Sequence, residues 1–257
     1  MRLSEQLARD ERVRLGLDES SAVADLLAVL ERDDGVHVAL YQLGEDGMAG
    51  MYQTRAGVPV ILVNSSMHPV RARFTLAHEY GHHCLGHEAA LDHEIDPWSR
   101  DDREADANRF AAELLLPGAG LDRWLRASTG RAAPDLETLV RLAHHYGVSC
   151  EVALHRLSRT RRVRGVVERR LRARVEAGEH RDLAWRLGLP ELDDTLARDR
   201  RLRVRMPAPT RHTVLRALAQ GLIDAETAAE RLHVDRLEIQ RMRRFEPAPD
   251  RGGDGRG

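Results

Sequence analysis

Lysine is missing from this 257-residue chain: all 40 basic residues are arginine. Coding bias accounts for that, and it carries no functional reading. Aromatic residues are scarce at 4%, while 42% of the chain is hydrophobic and 32% charged. That balance fits a soluble, mostly helical protein and argues against a β-sandwich. Two cysteines, Cys84 and Cys150, make no disulfide framework. No apolar run approaches the roughly 18 residues of a membrane span. The start, Met1-Arg2-Leu3-Ser4-Glu5-Gln6, is polar and has no apolar signal region behind it. The chain reads as cytoplasmic, with no membrane partner.

What is present is unevenly placed. Residues 1–155 hold 15 Arg against 25 Asp and Glu, a net of −10, and residues 156–257 hold 25 against 16, a net of +9. Two readings compete. In one, the halves attract each other or the basic helices are merely solvated. In the other, the basic half meets nucleic acid.

Along the chain, residues 1–34 read as helices, with Leu3 and Leu7, then Val23, Leu26, Leu27 and Leu30, at helical spacing. Val36–Tyr41, Met48–Gln53 and Val58–Val63 read as strands, separated by Glu45-Asp46-Gly47 and Ala56-Gly57 turns. They predict a small antiparallel sheet of about three strands, with Pro59 near a strand start or on an edge. A helix from Pro69 to about Gly86 follows, then a polar loop over 87–98. Ser99 and Asp102 suggest a capping box for a helix that stops at Pro117. Further helices are expected at about 120–128, 135–146 and 150–159, with Gly147 ending one and Ser149 capping the next.

The motif that organises the chain is His78-Glu79-Tyr80-Gly81-His82. Residues i and i+4 share a helix face, so both imidazoles reach one metal ion. Glu79 lies next to the first, close enough to touch a water on that ion. This is the H-E-x-x-H pattern of zinc hydrolases. Catalytic zinc usually takes three protein ligands and keeps a place open for water. A third histidine six residues after the second would fall on position 88, which is Glu88, so the three-histidine pattern fails. The alternative is a glutamate from the next helix. Glu104 shares a face with Ala107, Asn108, Ala111 and Leu115, and so points inward, where a lone carboxylate is costly. Either a metal or an arginine would relieve that cost. Glu113 falls half a turn round and is expected to face solvent, and Asp106 likewise points away. Asn108 is placed to accept a hydrogen bond from the outer nitrogen of a ligand histidine.

Arg73-Phe74-Thr75-Leu76-Ala77-His78-Glu79-Tyr80-Gly81-His82, then Glu104-Ala105-Asp106-Ala107-Asn108-Arg109-Phe110-Ala111 and Leu114-Leu115-Leu116-Pro117, resemble the ImmA/IrrE family of metallo-endopeptidases. The strand ending Val63-Asn64 fits as well, and the resemblance covers about residues 20–160. It implies an α+β, zincin-like domain over 1–160, a small sheet packed on the active-site helix. It implies Zn2+ on His78, His82 and Glu104, with Glu79 as catalytic base. It also implies a protein substrate inside the cell, a repressor-like transcriptional regulator. Many members carry a helix-turn-helix before the sheet, and this chain has too few residues there for one.

The sequence does not single out an oxyanion partner among Tyr80, His144, His145, Tyr146 and His155, each of which equally suits packing or surface. His83 and His87 fall off the ligand face and suit local hydrogen bonds. Cys84 suits core packing, although oxidation near the metal is an alternative. The rest of the chain reads as an all-α C-terminal half: an arginine-rich helical region over 161–205, a compact helical unit over 210–245 and a Pro/Gly/Asp-rich tail over 246–257. Residues 225–243 have helix-turn-helix spacing, with His233 where glycine is usual, which makes DNA a candidate partner. Residues 139–157 show the same spacing, so the pattern also fits two helices that simply pack at a corner. Two functions stay open: a zinc endopeptidase acting on a regulator, and a non-cleaving, DNA-associated binding module on the same fold.

Overall fold

A computed structural model describes residues 3–32, 35–44, 46–88, 90–92, 101–129, 133–189 and 205–245. The tail expected over 246–257 and the expected cap Ser99 lie outside them. The fold is α+β, as expected. Helices α1 (Leu3–Arg14) and α2 (Leu26–Arg32) precede strands β1 (His37–Tyr41), β2 (Gly50–Arg55) and β3 (Val58–Asn64). Ala56 and Gly57 both take positive φ, 49° and 80°, as a two-residue hairpin turn demands. That turn makes β2 and β3 an antiparallel pair.

The sheet differs from expectation in two ways. Its order is β1-β3-β2-β4, and β1 joins β3 in parallel, so the sheet is mixed. The fourth strand, β4 (Ala90–Asp92), pairs with β2 inside the stretch expected to be loop. Pro59 is the second residue of β3, just before the ladder to β1 begins at Val60, so its missing N–H costs that ladder nothing. The outer edge of β1 is not bare. Leu40 and Arg205 exchange both backbone hydrogen bonds at 2.8 Å. Glu31 of α2 accepts from Arg205 and, at 3.0 Å, from Arg211.

Helix α3 (Pro69–Cys84) carries the motif and lies between the sheet and α4 (Asp102–Leu115). Pro69 stands at its first turn, where the absent N–H is harmless. Every residue from Ala72 to His82 is buried. Gly81 permits the close approach to α4: a Cβ there would lie 3.1 Å from Phe110 Cδ1 and 3.2 Å from the Ala107 carbonyl. The helix ends in a Schellman turn. Gly86, at φ 66°, donates to His83 O, and His87 N donates to His82 O at 3.0 Å. This turn sends His87 back against the motif. Asp101 caps α4, its Oδ1 accepting from Arg103 N at 2.9 Å and Glu104 N at 3.2 Å.

Helix α1 packs differently from its leucine spacing. Leu3 is 79% exposed, and the buried face is Ser4, Ala8 and Arg12. The reason is α4, whose far side is polar. Ser4 Oγ donates to Asp106 Oδ1 at 3.0 Å, and Arg12 donates to the carbonyls of Leu114, Asp18 and Ser21. Burial on this side also overturns the expected exposure of Glu113. That residue is 1% exposed and pairs with Arg9 of α1 and with Arg156.

Helices α5 (Gly118–Thr129), α6 (Leu136–Tyr146), α7 (Cys150–Arg159), α8 (Gly165–Glu176) and α9 (Glu179–Arg186) extend the same core, which reaches Leu171 and Val175 of α8. Gly147 takes φ 67° at the end of α6, and Ser149 caps α7, both as expected. A second, smaller core of Val214, Leu215, Ala228, Ala229, Leu232 and Ile239 unites α10 (Ala208–Ala219), α11 (Ala225–Leu232) and α12 (Arg236–Phe245).

Candidate metal centre

His78 and His82, one turn apart on α3, bring their Nε2 atoms to 3.0 Å. Glu104, in the first turn of α4, reaches both: Oε2 lies 3.2 Å from His78 Nε2 and Oε1 3.4 Å from His82 Nε2. The structure thus gathers the three residues that the sequence singled out, one ligand atom from each within 4.8 Å of the others. Four donors about 2.0–2.1 Å from a tetrahedral ion stand about 3.3–3.4 Å apart, so the spacing fits a small divalent ion. Two imidazoles and one carboxylate are a mixed nitrogen–oxygen set, which suits a transition-type ion better than calcium, with its all-oxygen shell.

The outer nitrogens explain the orientation. His78 Nδ1 lies 3.0 Å from Asn108 Oδ1, an oxygen that only accepts, so Nδ1 carries the proton and Nε2 offers its lone pair inward. Asn108 thus stands where the periodicity of α4 put it, four residues after Glu104. His82 Nδ1 lies 2.8 Å from His87 Nδ1, the contact that the Schellman turn delivers. Both motif histidines are fully buried. The imidazole lone pairs and the partly exposed Glu104 carboxylate converge and repel one another, and a cation at their centre removes that cost. The closeness of the His78 and His82 imidazoles holds the Glu104 carboxyl well below the usual carboxylate range.

Glu79 is fully buried on the same helix. The room for it comes from Gly50, at the start of β2. A Cβ there would stand 2.4 Å from Glu79 Oε1 and 2.6 Å from Thr75 Cγ2. The sequence reading missed this glycine, although glycine inside a strand is a recognised sign of close approach. It also missed Tyr52 of β2, whose hydroxyl lies 3.2 Å from His83 Nδ1.

Two oxyanion candidates are engaged elsewhere. The Tyr80 hydroxyl donates to Glu11 Oε2 at 2.6 Å and accepts from Arg14 at 2.7 Å, both on α1, and burial raises its pKa. The Tyr146 hydroxyl donates to Ser20 O at 3.1 Å. His145 packs against Trp124 and Tyr146.

Comparison with known proteins places the chain beside a family of known description. Residues 31–158 match the family described as the IrrE N-terminal-like domain. The chain is also similar to the radiation response metalloprotease IrrE of Deinococcus deserti, at 33% identity over 130 residues. That stretch is 49% of this chain and 43% of the relative, so the chain spans less than half of the curated protein it matches. The family implies a metallopeptidase-type function and a metal ion. Through residues 31–158, the chain belongs to the ImmA/IrrE family of metallopeptidases.

Proposed function

We propose that the chain is a zinc-dependent endopeptidase that hydrolyses a peptide bond in a regulatory protein inside the cell. The observation that carries this reading is the triangle of His78, His82 and Glu104 donor atoms with Glu79 buried beside it. His78, His82 and Glu104 are the metal ligands in this reading. Zinc bound there supplies a Lewis acid that brings the pKa of an attacking water towards about 7 and polarises the scissile carbonyl. Glu79 takes the proton from that water and hands it to the leaving amine. Its burial keeps bulk water away from the proton it carries. Asn108 and His87 hold the two imidazoles in the tautomer and angle that the ligands need.

The peptidase unit in this reading is residues 1–160, with the arginine-rich helices of 161–205 and the small helical unit of 210–245 appended. The substrate is a repressor-like transcriptional regulator, by resemblance to the family. The relative's name, radiation response metalloprotease, supports a role for such regulation in a stress response. Both cysteines are free thiols, which suits a reducing compartment, and no described helix is long and apolar enough to cross a membrane.

Incubation of the chain with a repressor-like protein encoded beside it tests the reading. Zinc-loaded protein is expected to convert that partner into two fragments, and a chelator to stop it, with activity restored by added zinc. A partner that stays intact with a fully zinc-loaded chain, or is cut equally well in chelator, would count against the proposal.

The outer contacts give a second measurement. Asn108→Ala is expected to weaken zinc binding about 10- to 100-fold, because His78 loses the group that fixes its tautomer. Competition against a chromogenic chelator reads this directly. An unchanged zinc affinity would mean that Asn108 only packs.

A further inference from the structure

Two corners of this fold are the same local structure put to different uses. Helix α6 ends on Gly147 at φ 67° and α11 on His233 at φ 53°. The next N–H, of Val148 or Val234, bonds back to Ala143 O or Ala229 O, at 3.0 Å in both cases. A cap then opens the second helix: Ser149 accepts from Val152 N, and Asp235 from Glu238 N. Each corner closes over a residue of no exposure, Ala153 or Ile239.

The corners differ on the outer face of the second helix. In α7 the positions three and seven residues after the corner are Cys150 and Leu154, both buried, 8% and 2% exposed. The equivalent positions of α12 are Arg236 and Gln240, both exposed. Beside them stand Leu237, 64% exposed, and Arg241, with 61% of its side chain exposed. The first corner is therefore a packed joint, while the second turns an arginine–glutamine face to solvent.

Attraction between the two halves explains some of the basic residues but not these. Arg205 and Arg211 are taken up by Glu31, and Arg156 by Glu113 and Glu5. Among the described residues, Arg241 of α12 pairs with Glu238 of its own helix, at 3.3 Å, an exposed pair that opens at little cost.

We propose that α12 is a reading helix for double-stranded DNA. The width of the major groove admits one helix. Arg236 and Arg241 offer the paired donors that match the O6 and N7 of guanine, and Gln240 offers the donor and acceptor that match adenine. Leu237 offers an apolar contact to a thymine methyl. Arg216 of α10 and Arg231 of α11, both exposed, supply charge for the phosphates. The small core of α10 to α12 lies beneath this face and holds the helix rigid. The reading is independent of peptidase activity, since no residue of the metal centre takes part.

Fluorescence anisotropy of the full chain with a labelled random-sequence duplex tests it, at about 50 mM and about 200 mM salt. Binding is expected in the micromolar range at the lower salt and to weaken steeply at the higher. Arg236→Ala combined with Arg241→Ala is expected to weaken binding about tenfold and to flatten the salt dependence. Gln240→Glu, an exposed change that leaves the small core untouched, is expected to weaken it too. Glu79→Gln should bind as the unaltered chain does, which separates this result from any failure of the peptidase reading. No binding at the lower salt, affinity unmoved by these variants, or tighter binding of single-stranded RNA than of duplex would each overturn the proposal.

Discussion

Glu79→Gln is expected to keep its zinc and lose about 10²- to 10⁴-fold in cleavage rate. Glutamine has the shape of glutamate and fits the space that Gly50 leaves, so the fold has no reason to move. What disappears is the capacity to take a proton. The amide oxygen accepts a hydrogen bond from water but cannot deprotonate it. His78, His82 and Glu104 are untouched, so metal content should stay at one ion per chain. His78→Ala provides the contrast, because it should lose zinc and cleavage together. Rate constants on one substrate, with metal measured on the same samples, decide the matter. A Glu79→Gln protein that cuts at the original rate would remove Glu79 from the chemistry.

The second large effect concerns stability. Glu113→Ala is expected to destabilise the fold by about 3–5 kcal/mol, a fall in Tm of roughly 6–20 °C. Glu113 binds the Arg156 guanidinium, accepts from Arg9 Nε at 2.9 Å and accepts from Gly118 N at 3.1 Å. Arg156 is 2% exposed, and burial pushes its pKa down to about 10. Without Glu113 it keeps Glu5 at 3.1 Å and the Leu116 carbonyl at 3.2 Å, too little to offset a buried charge. The double change Glu113→Leu with Arg156→Met should recover most of the loss, because it removes both charges and fills the space. The exposed pair Glu137–Arg141 offers a scale: Glu137→Ala should cost no more than about 0.5 kcal/mol. Denaturant melts of the four proteins test the set. A loss at Glu113 as small as at Glu137 would mean that water reaches Arg156.

The same residues show what could be read from the sequence. The triangle of His78, His82 and Glu104 was legible because its geometry is local. Two histidines one turn apart share a face whatever the fold around them, and the inward face of α4 follows from its own periodicity. Asn108 followed from the same helix. Glu113 was misread because helix periodicity assumes one buried side. Helix α4 is buried on both from Ala107 to Leu115, since α1 covers the far side, and the arginine that neutralises Glu113 lies on α7, far along the chain. Nothing local announces such a partner. The sheet shows the same limit. The turn Ala56-Gly57 spells out one hairpin, but the parallel pairing of β1 with β3 depends on which edge the chain meets after leaving β1. Strand β4 is three residues long, too short for any periodicity. Helix α1 defeated its leucines because the surface it meets on α4 is polar.

The backbone exchange between Leu40 and Arg205 has a consequence for how molecules of this protein meet each other. An uncovered outer strand is a template on which a second chain can add its own strand, the first step of sheet-to-sheet aggregation. Here Arg205 occupies that template at Leu40, the fourth of its five residues, and its ion pair to Glu31 fastens it there. The bridge therefore covers the part of this edge at which a second strand would otherwise pair. A chain ending before residue 205 would offer the backbone N–H and C=O of Leu40 on the β1 edge to its neighbours.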